Sequence, residues 1–265
     1  HPNPVKQCAE EHSLPVLQSQ LLKSSDAVSW VAERKPDLLV LAFVTSFVPK
    51  EMIDLAPLGG INYHPSLLPK YRGGSAINWA VINGETETGV SIHYIDEGVD
   101  TGPILLQEKV AIEPDDTVKS VYFEKLYPMG VRMIAEAVEL VRTKTPKGVQ
   151  QDETIASFQP VITAKDTIID WRKSTSEIYN LIRGSNPAPG ASTSIKDTPC
   201  KLFDATRGTG SGRAGAVISI SDDGIEIATS DGSIFVHVLQ PAGSKKTPAT
   251  DFVQTVQLTV GESCQ

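Results

Sequence analysis

Apolar and polar positions along this chain change their spacing from segment to segment, and each spacing predicts an element. Asp37-Leu-Leu-Val-Leu-Ala-Phe43 is a continuous apolar run, as expected of a fully buried parallel strand. Before it, helices are expected from about Pro4 to His12 and again up to about Glu33, with a short strand from Leu14 to Leu17 between them. After it come a helical turn around Pro49 to Leu55, a strand from Gly60 to His64, and a helix from Ala76 to Ile82. Ser75 is placed to cap that helix and Asn83-Gly84 to stop it. Gly89 to Ile95 and Pro103 to Ile112 read as a strand pair around an acidic turn. Asp115-Asp116-Thr117 opens a long amphipathic helix whose apolar side includes Val118, Val121, Leu126, Met133, Ala137 and Val141.

The pattern then shifts. Thr143 to Ser157 is polar and carries Pro146 and Gly148, which predicts a linker or surface excursion. A short helix is expected around Thr175 to Ile182. Short strands follow: Ala191 to Ile195, Lys201 to Ala205, Ala216 to Ser219, Gly224 to Thr229 and Ser233 to Leu239. Asp223-Gly224 and Asp231-Gly232 mark turns, and Thr206 to Gly215 reads as a mobile loop. Many short strands with frequent turns predict a small β-barrel. The expected division is an α/β domain over residues 1–145, a linker over 146–160 and a barrel over 161–265.

At 265 residues the chain is long enough for one large or two ordinary domains. No apolar run approaches the roughly 18 residues of a membrane helix, so no membrane association is expected. A net charge of -8 argues against a general nucleic-acid binder coated in Lys and Arg, though not against one local basic surface. Cys8, Cys200 and Cys264 are widely spaced, so neither a disulfide framework nor a zinc site is expected, and a reducing compartment fits. That compartment is the bacterial cytoplasm or, in a eukaryote, an organelle matrix. Doubly wound domains open on a buried strand with a glycine-rich turn, and none precedes Asp37. The chain starts at His1 without a Met or signal peptide, so about two βαβ-type steps, on the order of 60 residues, are expected upstream.

The chemistry concentrates in two places. Residues two apart on a strand share a face, so Asn62 and His64 point the same way at a strand end, where open α/β sheets keep ligands. The acidic turn Asp96-Glu-Gly-Val-Asp-Thr-Gly102 follows about 30 residues later along the chain. An amide donor, an imidazole and a carboxylate are the parts needed to move an acyl group between nitrogens. Taken singly, each has a plainer reading: a satisfied structural histidine, a turn asparagine, a turn aspartate. His93 alternates with Ser91 and reads as structural or surface-exposed.

Ile61-Asn-Tyr-His-Pro-Ser-Leu-Leu-Pro-Lys-Tyr-Arg-Gly-Gly74, Thr88-Gly-Val90 and Asp96-Glu-Gly-Val-Asp-Thr-Gly102 together resemble the motifs of the folate-dependent formyltransferase family. Gln151-Asp-Glu-Thr154, Ile169-Asp-Trp171, Ile182-Arg-Gly-Ser-Asn-Pro187 and Leu239-Gln-Pro-Ala-Gly-Ser-Lys-Lys246 extend the resemblance over nearly the whole chain. It implies an α/β fold: a Rossmann-like formyltransferase domain, incomplete at its N-terminus, followed by a small OB-like β-barrel. It also implies 10-formyltetrahydrofolate as co-substrate, no metal, and Asn62, His64 and Asp100 as catalytic residues. The run Leu41 to Pro49, with Phe43 and Val44 singled out, would form one wall of a folate pocket and Asp96, Glu97, Gly98 and Val99 another, with the turn Ser66, Leu67, Leu68, Pro69 counted among the pocket residues. The implied acceptor is initiator methionyl-tRNA, and the implied state is a monomer. Alternatives stay open. Ser75-Ala-Ile-Asn-Trp79 and Tyr63-His64-Pro65 resemble the hydrolase domain of 10-formyltetrahydrofolate dehydrogenase. A different amine, such as a nucleotide sugar, is a second alternative, and a non-catalytic folate- or tRNA-binding fragment a third.

Overall fold

A computed structural model describes residues 3–44 and 46–265. The N-terminal half is built on a four-stranded sheet of order β1-β2-β4-β5. Its elements in chain order are α1 (Pro4–Glu11), α2 (Ser25–Arg34), β1 (Leu39–Leu41), α3 (Lys50–Ile53), β2 (Gly60–His64), β3 (Arg72–Gly73), α4 (Ala76–Ile82), β4 (Glu87–Tyr94) and β5 (Ile104–Ala111). β1 runs parallel to β2, whereas β4 and β5 are antiparallel to their neighbours. The long helix forms as α5 (Val118–Ser120), a π turn (Val121–Leu126) and α6 (Tyr127–Lys144). Thr117 opens it with a capping box shared with Ser120, which satisfies two otherwise orphaned N–H groups. The wide turn falls just before Pro128, which lacks an N–H and whose ring crowds the preceding turn.

The alternation in β2 divides the sheet's chemistry. Ile61 and Tyr63 join Val90 and Ile92 in a core with Leu126, Met133, Ala137 and Val141 of the long helix. Residues two apart share a face and neighbours oppose it, so Asn62 and His64 are left on the other side. The register carries this across the sheet, pairing Asn62 with His93 and His64 with Ser91.

Several expectations fail near the start of the chain. Residues 14–17 form no strand, and Leu14, Val16 and Leu17 are exposed. A strand needs a ladder partner, and this segment pairs with none of the described strands. β1 is shorter than the run from Asp37 to Phe43 and is not buried on both faces: Val40 is 44% exposed. Among the described strands it lies at the sheet edge, and its Leu39 and Leu41 pack against a small cluster of Ala27, Val48 and Met52. Ser75 precedes α4 but makes no capping bond; its backbone is left-handed (φ 59°), and its hydroxyl accepts the Ile162 N–H instead.

The segment expected as a linker is fastened down. Val149 exchanges both backbone hydrogen bonds with Ile104 at 2.8 Å, and Ser157 accepts the Tyr71 N–H. After a 3-10 turn (Glu153–Ile155), β6 (Phe158–Gln159) pairs in parallel with β3. Then come α7 (Thr175–Gly184), β7 (Ala191–Ile195), β8 (Thr198–Gly208), β9 (Val217–Ser221), β10 (Gly224–Ala228), β11 (Ser233–Pro241), β12 (Thr247–Pro248) and α8 (Ala249–Val256). Their sheet runs β7-β8-β11-β10-β9, with β12 beside β11. The last residues close it into a barrel. Glu262 and Cys264 bond to Val217 and Gly215 at one edge, while Gln265 bonds twice to Ser194 at the other. β8 extends through Thr206, Arg207 and Gly208, so the first part of the expected loop is strand. α8 was not expected; it buries Ala249 and Phe252 in the barrel core.

Candidate active site

Asn62, His64 and Asp100 converge at a cavity of about 740 Å³. β2 supplies the first two. Asp100 ends the acidic turn in a left-handed conformation (φ 56°), which Asp tolerates better than most side chains. Its backbone is held there by Gln151, whose Nε2 donates to the carbonyls of Asp100 and Gly102, each at 2.8 Å. Gln151 is itself fixed because its Oε1 accepts from Arg72, which also pairs with Glu153.

The Asp100 carboxylate is shared. Oδ2 accepts the Gly73 N–H at 2.9 Å and lies 3.4 Å from His64 Nδ1. Oδ1 accepts from Asn62 Nδ2 at 3.2 Å and lies 3.5 Å from His93 Nε2. Burial opposes ionisation of Asp100, but the facing His93 and His64 rings, once protonated, and the Gly73 N–H outweigh it. The carboxyl therefore lies below its ordinary value. His64 is 4% exposed. Burial lowers its proton affinity more than Asp100 and the Tyr71 carbonyl raise it. The ionised carboxylate beside a neutral imidazole is thus the resting state at neutral pH.

The tautomer of each imidazole follows from its carbonyl partner. His64 Nε2 donates to Tyr71 O at 2.7 Å, leaving Nδ1 as the unprotonated nitrogen facing Asp100. His93 Nδ1 donates to Tyr94 O at 2.7 Å, leaving Nε2 facing Asn62 and Asp100. Such carbonyl contacts decide which ring nitrogen is free for chemistry.

Of the expected folate-pocket residues, Phe43, Val44, Asp96, Gly98 and Val99 line the cavity. Glu97 is exposed and does not. Ser66, Leu67, Leu68 and Pro69 are also outside it. They form a turn packed against β4, in which Ser91 Oγ accepts the Leu68 N–H and donates to Ser66 O. The residue before them, Pro65, does line the cavity. Thr45, within the expected wall, lies outside the described residues.

His93, expected to be structural or surface-exposed, is not at the surface: it is 2% exposed and stands beside Asn62 and Asp100. The register of the antiparallel pair β2 and β4 is what sets it opposite Asn62. In the sequence Gln151 stands out only as a motif member and Arg72 as a residue shaping the turn after β2; their link to Asp100 is invisible there, because Gln151 lies 51 positions from Asp100 and 79 from Arg72. Among the described residues, no group of three or more His, Cys, Asp and Glu is arranged to hold a metal, and no helix is long and apolar enough to cross a membrane.

Residues 1–138 match the formyl transferase family and residues 161–257 match the formyl transferase C-terminal domain. A methionyl-tRNA formyltransferase from Trichlorobacter lovleyi is 36% identical over 98% of this chain and 82% of its own length. The methionyl-tRNA formyltransferase of Geobacter metallireducens is 36% identical over 98% of this chain and 83% of its own. HypX from Aquifex aeolicus, solved with tetrahydrofolic acid, shares the fold with a TM-score of 0.72 at 24% identity. That alignment covers 89% of this chain but only 42% of HypX. WlaRD, a sugar 3N-formyl transferase solved with dTDP and 5-N-formyl-THF, has a TM-score of 0.63 at 20% identity, over 91% of this chain and 82% of its own. With both domain types matched in order and more than half of the chain within the first match, this chain belongs to the formyl transferase family.

Proposed function

We propose that this chain transfers a formyl group from 10-formyltetrahydrofolate to the amino group of initiator methionyl-tRNA. The observation that carries formyl transfer is the convergence of Asn62, His64 and Asp100 at a cavity, with the Asp100 carboxylate 3.2 Å from the Asn62 amide nitrogen and 3.4 Å from His64 Nδ1. The acceptor is supported by near-full-length similarity to relatives named methionyl-tRNA formyltransferase. The cavity suits a folate. Its volume of about 740 Å³ is in the range of small-molecule sites. Phe43, Tyr63, Val99 and Tyr122 give it apolar walls, and Asn62, His93 and Asp100 give it a polar end.

In this reading a neutral amine attacks the formyl carbon, and negative charge grows on the formyl oxygen. Asn62 donates an amide N–H to that oxygen, as an oxyanion-hole donor does. As the new C–N bond forms, the amine loses a proton. His64 Nδ1, unprotonated in the resting state, takes it, and Asp100 stabilises the imidazolium at 3.4 Å. The proton then passes to the folate nitrogen as its bond to the formyl carbon breaks. One proton leaves one nitrogen and reaches the other, so no other reactant is needed.

The test is incubation with 10-formyltetrahydrofolate, with and without methionyl initiator tRNA, quantifying formyl-methionyl-tRNA and free formate. Formyl-methionyl-tRNA that disappears in His64→Ala is the expected result. Formate release indifferent to tRNA would replace this reading with a hydrolase.

A further inference from the structure

His93 lies beside Asn62 with a fixed tautomer. Its Nδ1–H is committed to Tyr94 O at 2.7 Å, so in the neutral ring Nε2 can only accept. Asn62 Nδ2 is 3.2 Å from that nitrogen and 3.2 Å from Asp100 Oδ1. The two amide hydrogens of Asn62 therefore have two acceptors, and the carboxamide is held in one orientation. These acceptors differ in strength. A hydrogen bond to an ionised carboxylate is roughly twice as strong as one to a neutral group. When a third acceptor arrives in the cavity, the N–H on His93 is the one that yields.

We propose that His93 is a positioning residue that keeps the Asn62 carboxamide aimed, holding on Nε2 the N–H that turns to the formyl oxygen during transfer. This rests on the formyl-transfer reading above. It explains why an imidazole is buried opposite Asn62 while its Nε2 is used by no backbone group. It also accounts for the polar end of the cavity being complete before substrate enters. The amide is neither orphaned nor free to rotate before substrate enters, so the reaction asks only that one N–H exchange its acceptor, from His93 Nε2 to the formyl oxygen. His93 acts through Asn62, and the bonds made and broken are those of the transfer itself.

The experiment measures steady-state formyl transfer to methionyl initiator tRNA in the unsubstituted protein, His93→Leu, His93→Gln, Asn62→Ala and the double variant Asn62→Ala/His93→Leu. Thermal denaturation verifies that each is folded, and His93→Met replaces the leucine variant if that one is not. The glutamine Oε1 can accept from Asn62, whereas leucine and methionine offer no comparable acceptor. The expected result is a kcat about tenfold or more lower in His93→Leu, because misplacing a catalytic group is costly. KM for 10-formyltetrahydrofolate stays within about twofold, and His93→Gln recovers most of the loss. In the Asn62→Ala background the leucine substitution has no further effect, as expected of two residues acting as one unit. The proposal is overturned by an unchanged kcat in folded His93→Leu, by a loss carried in KM, by a glutamine variant as slow as leucine, or by an equal loss in the Asn62→Ala background. Absence of transfer in the unsubstituted protein overturns the underlying reading, and the proposal with it; transfer there beside an unaffected His93→Leu overturns the proposal alone.

Discussion

His64 Nδ1 stands 3.4 Å from Asp100 Oδ2 while the other ring nitrogen donates to the Tyr71 carbonyl. The pair thus has one open proton position, between a lone pair and a carboxylate. Removing either member should disable transfer. His64→Ala and Asp100→Ala are each expected to lower kcat about 10²- to 10⁴-fold, the usual worth of a positioned acid or base. Because they act together, the double variant should lose little beyond the worse single one. Single-turnover formylation measures both.

Acid should weaken the fold through the same pair. His64 has a lowered proton affinity when folded, so the unfolded chain binds its proton more readily. Stability from His64 is complete above its ordinary value of 6.5 and is lost as pH falls below it toward the folded value. Asp100 is lowered too, so its contribution disappears further down, as pH falls below 3.8 through its folded value. The expected outcome is a urea midpoint that declines from about pH 7 to pH 4 in the unsubstituted protein and declines less in His64→Gln.

Gly130 gives a structural prediction at the cavity wall. A Cβ there would run into the Tyr63 ring, whose other neighbour is Phe43, stacked with centroids 5.6 Å apart. Gly130→Ala should destabilise the protein by about 1–3 kcal/mol, as overpacking does, and weaken folate binding by tilting that stack. Chemical denaturation and a folate titration report the two effects separately.

How much of this could be read from the chain depended on how local each feature is. The bounds of β2, α4 and β7 follow from alternation or helical spacing within a few residues, and they match the expected ones. Asn62, His64 and Asp100 were singled out by motif, and the fold brings them together. His93 required the β2–β4 register, which is a pairing across 31 positions. Helix α8 is a different case. Ala249, Phe252, Val253 and Val256 have the spacing of an apolar helix face, so its signal was present and unused. The turn Ser66 to Pro69 shows the reverse: it belongs to the motif, yet it is fastened to Ser91 of β4 and does not line the cavity.

Barrel closure by the terminal residues predicts a clean truncation effect. Deleting residues 262–265 removes the backbone bonds joining both sheet edges and withdraws Cys264 from the core. Each net hydrogen bond is worth about 1 kcal/mol, so the loss should take a large part of the roughly 5–15 kcal/mol that holds a domain folded. The expected readout is a barrel that unfolds at lower urea than the N-terminal half, giving two transitions.

Gln151 predicts that catalysis depends on residues outside the motif strand. Gln151→Ala frees the carbonyls of Asp100 and Gly102. Transfer should slow about tenfold, as when supporting contacts of a functional group are removed, with little change in thermal stability.

That clamp also sets a rule for anyone who would recombine these proteins. Residues 146–160 look like a seam at which one barrel could be exchanged for another. Yet Gln151 and Glu153 belong functionally to the first half, because they hold Arg72 and the turn carrying Asp100. A graft joined at residue 146 would import a stranger's fastening for the catalytic carboxylate, whereas one joined beyond Gln159 would leave it native.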